Sequence, residues 1–274
     1  MWPNNKRCAV LLTFDFDAET LWEAHFEPTP TYLSRGTYGA RVGLPRILKL
    51  LDKYHIPATF FIPGLTAERY PHLVREIQAG GHEIGHHGYH HTSPVNMTLQ
   101  EESDVLEQGI RALESITGQR PQGYRSPSWD LSHNSVRLFQ QFGFLYDSSM
   151  MADDFHPYRL TLDKQEIELV ELPVAWELDD APYFMFNFTP YRAGLSDPAK
   201  VYDIWAAEFD GAYAEEGVFT LTMHPQITGR HYRLQLLDKL IRYIAGHPDV
   251  WFTRCSEVAR TWLAASSAER LEQH

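Results

Sequence analysis

CAVLLTFDFDAE, residues 8–19, is the stretch that decides the fold. From Cys8 to Phe14 the only polar side chain is Thr13. The run is continuous rather than alternating and too short for a core helix, which predicts a strand buried on both faces of a parallel sheet. It ends in Asp15, Asp17 and Glu19. In parallel β/α folds the reactive groups gather at the C-terminal ends of the strands. Carboxylates two positions apart on extended backbone point to the same side.

Outward from this stretch the pattern repeats. Further short strands are expected at 58–62, 83–85, 123–125, 144–147, 169–174, 218–223 and 250–252. Between them lie segments with helical spacing at 43–54, 66–79, 98–117, 132–142, 198–214, 231–245 and 256–265. The third of these opens Thr98-Leu99-Gln100-Glu101, a capping-box pattern, and stops at Gly118. Strands separated by helices imply βα units and a parallel sheet. Their number in one chain favours a distorted parallel β/α barrel, complete or incomplete, over an open sheet, and no glycine-rich phosphate loop follows the first strand. Residues 1–274 read as a single domain, without repeats, low-complexity tracts or an obvious linker. Three long connections, 20–41, 148–168 and 177–197, are rich in aromatics: Trp22, Phe26, Tyr32, Tyr38, Phe155, Tyr158, Tyr183, Phe184, Phe186, Phe188 and Tyr191. That content predicts ordered packing against substrate or a second subunit.

Composition narrows the function. There are 24 Lys+Arg against 36 Asp+Glu, a net charge of −12, which argues against nucleic acid and anionic membranes as partners. No apolar run approaches the ~20 residues of a membrane span. Cys8 and Cys255 are too few for a disulfide framework and are expected to be buried thiols, so the expected location is the reducing cytoplasm. The N-terminal residues show no signal-peptide pattern.

The strand expected at 83–85 runs into Gly85-His86-His87-Gly88-Tyr89-His90-His91, with four histidines in six positions. That at 218–223 runs into His224-Pro225, that at 123–125 ends in Arg125, and that at 144–147 ends in Asp147. Acids, imidazoles and an arginine thus recur at strand ends that converge on one axis. A carboxylate with spaced histidines suits a divalent ion with open positions, which acidifies water and polarises a carbonyl oxygen. A second carboxylate would serve as base and a separate histidine as acid toward a leaving amine. Together these groups describe a hydrolase of an amide-like bond.

The chain resembles the polysaccharide deacetylases, the fourth carbohydrate esterase family, in five motifs that occur in order over about residues 8–260. The resemblance implies a β/α barrel of about seven strands, one divalent ion (zinc first, with cobalt, manganese or nickel as substitutes) and hydrolysis of an N-acetyl amide. In Thr13-Phe14-Asp15-Phe16-Asp17 it implies Asp15 as base and Asp17 as metal ligand. One residue more than the family pattern separates them, so the exchanged roles stay open. In the histidine motif it implies His87 and His91 as ligands, with His86 and His90 as the rival pair. Arg125-Ser126-Pro127 implies an arginine that holds the base. Tyr146-Asp147-Ser148-Ser149 implies Asp147 as the group orienting the acid, and Leu221 to Pro225 implies His224 as that acid.

The split first motif, the Gly-His-His-Gly-Tyr form and the segment Leu172 to Tyr183 are similar to a cytoplasmic-looking branch. That branch includes a Helicobacter peptidoglycan deacetylase, cyclic imide hydrolases and allantoinase-like proteins. Deacetylation of an N-acetyl sugar in peptidoglycan or an oligosaccharide is therefore expected, slightly ahead of opening a cyclic imide or ureide. A non-catalytic carbohydrate-binding barrel comes third. Trp129, Trp176, Glu177 and Tyr183 are the expected substrate contacts. The aromatic loops and the stretch Trp262–Leu271 make a homo-oligomer the expected assembly.

Overall fold

The structure, a computed structural model, describes residues 2–26, 28–187 and 191–272; Phe188, one of the loop aromatics named above, lies outside them. Nine strands form a single sheet: β1 (Cys8–Asp15), β2 (Thr59–Ile62), β3 (Glu83–His86), β4 (Gly123–Tyr124), β5 (Tyr146–Asp147), β6 (Tyr158–Leu162), β7 (Gln165–Glu171), β8 (Val218–Met223) and β9 (Val250–Thr253). The order is β6-β7-β5-β4-β3-β2-β1-β8, with β9 pairing the first half of β1. All pairings are parallel except that of β6 with β7. The path thus carries seven parallel strands, β1, β2, β3, β4, β5, β7 and β8, and the sheet does not close. A bridge between Asp179 and Thr222 draws the chain beyond β7 toward β8 across the opening.

β1 forms the centre for the reason its sequence suggests. All eight of its residues are buried, its side chains feed both main clusters of the core, and Phe14 stacks on Phe60 of β2 with ring centroids 5.0 Å apart. The capping box at Thr98 is formed: its hydroxyl accepts from the Glu101 N–H, and Glu101 accepts from the Thr98 N–H at 2.8 Å. Cys8 and Cys255 are free, buried thiols, pushed up to about 12 by burial.

The structure departs from expectation in the connections. Residues 20–41 are mostly helical rather than looped: Thr20–His25 and Pro30–Tyr38 are helices, and the latter continues through a π turn at Gly39–Gly43 into the helix Leu44–Tyr54. The π turn sits where a neighbouring backbone presses in; a Cβ on Gly43 would lie 2.0 Å from the Pro225 carbonyl oxygen. The helix expected at 66–79 is two, Gly64–Arg69 and Pro71–Ala79, because Pro71 has no N–H with which to continue the first. The connection 148–168 contains β6 and the start of β7, an antiparallel hairpin on the outer edge of the sheet.

Candidate metal centre and active site

Residues at or beyond the C-terminal ends of β1, β3, β4, β7 and β8 line one hollow, and the side chains that carry chemistry stand there. Asp15 ends β1 and Asp17 follows two residues later, on a turn pinned by two hydroxyls. Thr20 and Thr66 both donate to the Asp17 carbonyl oxygen, at 2.7 and 2.6 Å. His87 follows β3, and the turn at Gly88, φ +70, returns the chain to His91, itself at φ 60. Ser128 and Trp129, on the turn after Arg125, also adopt positive φ. Non-glycine residues in this region cost conformational energy and are held by their surroundings, a pattern that clusters at functional sites.

Asp17 Oδ1 lies 3.6 Å from His87 Nε2 and 3.6 Å from His91 Nε2. The three residues are buried, their nearest donor atoms all lie within 4.8 Å of one another, and Asp17 Oδ1 has no hydrogen-bond partner. Each imidazole is fixed by its other nitrogen. His87 Nδ1–H donates to the Arg125 carbonyl oxygen at 2.7 Å, and His91 Nδ1 pairs with His25 Nε2 at 3.2 Å. With both Nδ1 atoms so engaged, the Nε2 lone pairs face the carboxylate. Burial holds His87 below the usual imidazole range and His91 well below it, so both are neutral and suited to ligation. Burial also pushes the Asp17 carboxyl up to about 8, against the pull of His224 and with the Asp15 charge adding to the rise. An orphaned, buried carboxylate oxygen aimed at two neutral imidazole nitrogens is a donor set that fits a small divalent cation.

The rival pair does not converge. His86 is fully buried, with Nε2 on the Leu106 carbonyl oxygen at 3.1 Å and Nδ1 accepting from the Gly88 N–H at 3.1 Å. His90 is exposed.

Asp15 has different company. Arg125 is completely buried. Its Nη1 donates to Asp15 Oδ1 at 2.9 Å and to Thr13 Oγ1 at 2.8 Å, while Nε and Nη2 donate to the Ser148 carbonyl and hydroxyl at 3.1 and 3.0 Å. Burial would raise the Asp15 carboxyl, but the Arg125 charge, with His87 and His224, holds it below the usual carboxylate range. Asp15 is therefore ionised, whereas Asp17 is the carboxylate left with an unpartnered oxygen.

His224 follows β8. Its Nδ1–H donates to Asp180 Oδ1 at 2.7 Å, and Asp180 Oδ2 accepts from the His224 N–H at 2.9 Å and from Thr228 Oγ at 2.5 Å. Burial opposes protonation, yet Asp180 and Asp179 outweigh it and raise His224 well above its ordinary value. His224 Nε2 lies 3.9 Å from Asp17 Oδ2, which also accepts from Gln226 Nε2 at 3.1 Å. The result is a protonated imidazole beside the candidate cation site and near an ionised carboxylate.

Three expected roles are not supported by this geometry. Asp147 does not orient His224: β5 lies between β4 and β7, while His224 leaves β8 at the other end of the sheet. Asp147 instead accepts from Ser149 Oγ at 2.8 Å and faces Glu171, whose Oε1 accepts from the Ser149 and Met150 N–H groups. Asp147 Oδ2 and Glu171 Oε2 are both buried with no donor of their own. Burial raises both, Asp147 to about 6 and Glu171 well above its ordinary value, which describes two carboxyls sharing a proton. Glu177 is exposed and does not line the hollow. Trp176–Leu178 is one 3₁₀ turn that places Leu178 inward, Trp176 over the cavity and Glu177 away from it. Tyr183 packs against Trp205 and donates to the Glu177 carbonyl oxygen at 3.2 Å, outside the cavity wall.

Trp129 and Trp176 do form that wall, with centroids 4.5 Å apart. The cavity measures about 270 Å³; Asp15, His87, His91, Asp179 and His224 contribute its polar side, Leu21, Phe26, Met185 and Ile227 its apolar side, and Arg192 stands on the same wall. Sequence reasoning missed Asp179, Asp180, His25 and Gln226. The two aspartates lay inside the segment 172–183 but on no expected strand end; His25 had only the default structural reading; Gln226 carries no motif signal of its own.

The polysaccharide deacetylase family profile matches residues 3–146. A peptidoglycan deacetylase of Helicobacter pylori is 34% identical over 94% of this chain and 97% of its own length. A peptidoglycan deacetylase-like protein of Gibberella zeae is 30% identical over 94% and 87%. Among solved structures, a putative polysaccharide deacetylase of Mycobacterium smegmatis superposes with a TM-score of 0.91 at 40% identity, covering 97% of this chain and 93% of that one. PuuE allantoinase superposes with a TM-score of 0.84 at 28% identity, covering 96% and 92%. A hydrolase acting on carbon–nitrogen bonds other than peptide bonds, the chain belongs to the polysaccharide deacetylase family.

Proposed function

We propose that this chain removes the acetyl group from an N-acetylated sugar, of a peptidoglycan fragment or an oligosaccharide, with Asp17, His87 and His91 holding one divalent ion. The observation that carries the reading is the unpartnered Asp17 Oδ1, 3.6 Å from two imidazole nitrogens, flanked by an ionised Asp15 and a protonated His224. A bound divalent ion supplies Lewis acidity there, polarising the amide carbonyl and acidifying water. The side chains divide the remaining work. Asp15, kept ionised by Arg125, takes the proton of the attacking water. His224, kept charged by Asp180, gives its proton to the departing amine. Trp129 and Trp176 supply an apolar platform for the sugar ring, and the apolar side of the cavity limits water.

The nitrogen-rich donor set with one carboxylate supports zinc as the ion. The two unpaired cysteines support the reducing cytoplasm as the location. Exposed Tyr191, Leu195 and Trp176, at 71, 60 and 47% accessibility, support self-association. No helix of the described residues is long and apolar enough to cross a membrane.

A second reading, opening of a cyclic imide or ureide, draws on one feature. The hollow, at about 270 Å³, lies below the ~300–1,000 Å³ usual for ligand pockets and suits one compact ring. The similarity to PuuE allantoinase runs in the same direction. One zinc-loaded preparation assayed on N-acetylated oligosaccharides, succinimide and allantoin separates the two. Acetate release from the sugars is expected; ring opening with no acetate release would replace the first reading with the second.

A further inference from the structure

The cavity wall carries a charge that the reaction above does not use. Arg192 lines the cavity and is exposed, whereas Asp15, His87 and His91, which line it too, are only 1–3% accessible. The other cationic groups of the site are matched: Arg125 by Asp15, and His224 by Asp180. The Arg192 guanidinium makes no hydrogen bond or ion pair among the described residues, in a chain of net charge −12.

Its backbone is nonetheless anchored. The Arg192 N–H donates to the Asn187 carbonyl oxygen at 3.0 Å, and the Asn187 N–H to that of Arg192 at 3.2 Å. Asn187 is buried and its Oδ1 accepts from Arg35 Nη1 at 2.6 Å. Two residues on, Gly194 lies so close to Met185 and Phe186 that a Cβ would sit 2.5 Å from the Phe186 nitrogen. The backbone is thus held at Arg192 itself and at Gly194, and the arginine, which lines the cavity, carries a planar, always charged donor fork. Such a fork matches a carboxylate.

We propose that Arg192 is a specificity residue that binds a carboxylate on the substrate, one carried by the same sugar ring whose acetamide reaches the floor. The proposal rests on the deacetylase reading of this site. It makes N-acetylmuramic acid, a ring with an ether-linked carboxylate, a better substrate than the otherwise similar neutral N-acetylglucosamine.

The test measures kcat/KM for acetate release from both sugars, and the affinity of N-acetylmuramic acid by calorimetry, in the metal-loaded wild type, Arg192→Gln and Arg192→Glu. The muramic-to-glucosamine ratio of kcat/KM is expected to fall about 10- to 100-fold in R192Q, carried by KM, and further in R192E. Calorimetric affinity should fall in the same order. An equal ratio in all three proteins, or unchanged affinity, overturns the anchor. Arginine-dependent affinity with no acetate release from either sugar would leave the anchor standing and overturn the deacetylase reading instead. Wild type that neither binds nor hydrolyses the carboxylated sugar overturns the anchor, and the deacetylase reading falls with it only if N-acetylglucosamine is not hydrolysed either.

Discussion

Replacing Asp180 by Asn keeps the shape of the side chain and removes its charge from beside His224. The carboxylate accepts three hydrogen bonds, from His224 Nδ1–H at 2.7 Å, the His224 N–H at 2.9 Å and Thr228 Oγ at 2.5 Å, and Asp180 is fully buried. Hydrogen bonds to an ionised acceptor are about twice as strong as neutral ones, about 1.5–3 against 0.5–1.5 kcal/mol. Losing about 1 kcal/mol at each amounts to about 3 kcal/mol, or roughly 10²-fold in kcat if the loss falls on the transition state. That is within the ~10²–10⁴ contributed by a positioned general acid. The pH dependence carries a sign as well. His224 must be protonated to donate, and Asp180 raises it, so wild type should hold its activity well above the ordinary imidazole value, and D180N should lose it at lower pH. The assay is acetate release from an N-acetylated oligosaccharide across pH with metal in excess. Asp147→Asn serves as the contrast: it breaks the carboxyl pair with Glu171 and should lower stability without moving the alkaline limb. The reasoning fails if D180N stays within about threefold of wild type with an unmoved limb, or if D147N moves that limb.

Arg125→Ala removes the charge that keeps Asp15 ionised. The acid limb of the profile should shift to higher pH, and unfolding by urea should show a loss of about 3–5 kcal/mol for the uncompensated buried carboxylate. Trp129→Ala removes half of the tilted tryptophan pair proposed to carry the sugar and should raise KM about tenfold with a smaller change in kcat, by initial rates on a sugar oligomer. Leu237→Ala, in the fully buried face of the helix His231–Ala245, should cost about 2–5 kcal/mol in denaturant unfolding while kcat per folded molecule stays unchanged. Gly109→Ala would place a Cβ 2.3 Å from His86 Nε2, and overpacking there should cost about 1–3 kcal/mol in the same measurement.

Where side-chain pattern and backbone agree, the sequence was readable. β1 is a continuous apolar run buried on both faces, so its strand character and the exit of Asp15 and Asp17 follow from composition alone. The same holds for β8 with His224 at its end, and for the helix behind Thr98, whose cap is written in local residues. The mostly parallel sheet follows from the alternation of such elements. What stayed hidden depends on long-range contact. The helix Pro30–Tyr38 holds Gly36, Ser34 and Thr37, poor helix formers placed there by packing against neighbouring segments, so 20–41 read as a loop. The hairpin of β6 and β7 is half exposed and charged, with no apolar run until Leu169. The partner of His224 shows the limit most clearly. Motif order points to Asp147, yet a bridge between Asp179 and Thr222, which no local signal encodes, brings Asp180 beside β8 instead. The open choice between His86 and His87 turns on the same kind of fact, since His86 is spent on the Leu106 carbonyl across the core.

Whether Asp17, His87 and His91 hold an ion is decided by elemental analysis of the folded protein. Wild type and the Asp17→Asn, His87→Ala and His91→Ala variants, each checked for folding by circular dichroism and equilibrated with zinc and then dialysed, should separate cleanly. About one divalent ion per chain is expected in wild type and far less than one in each variant. Wild type that retains no ion, or variants that retain it in full, would contradict the assignment of these three side chains as its ligands.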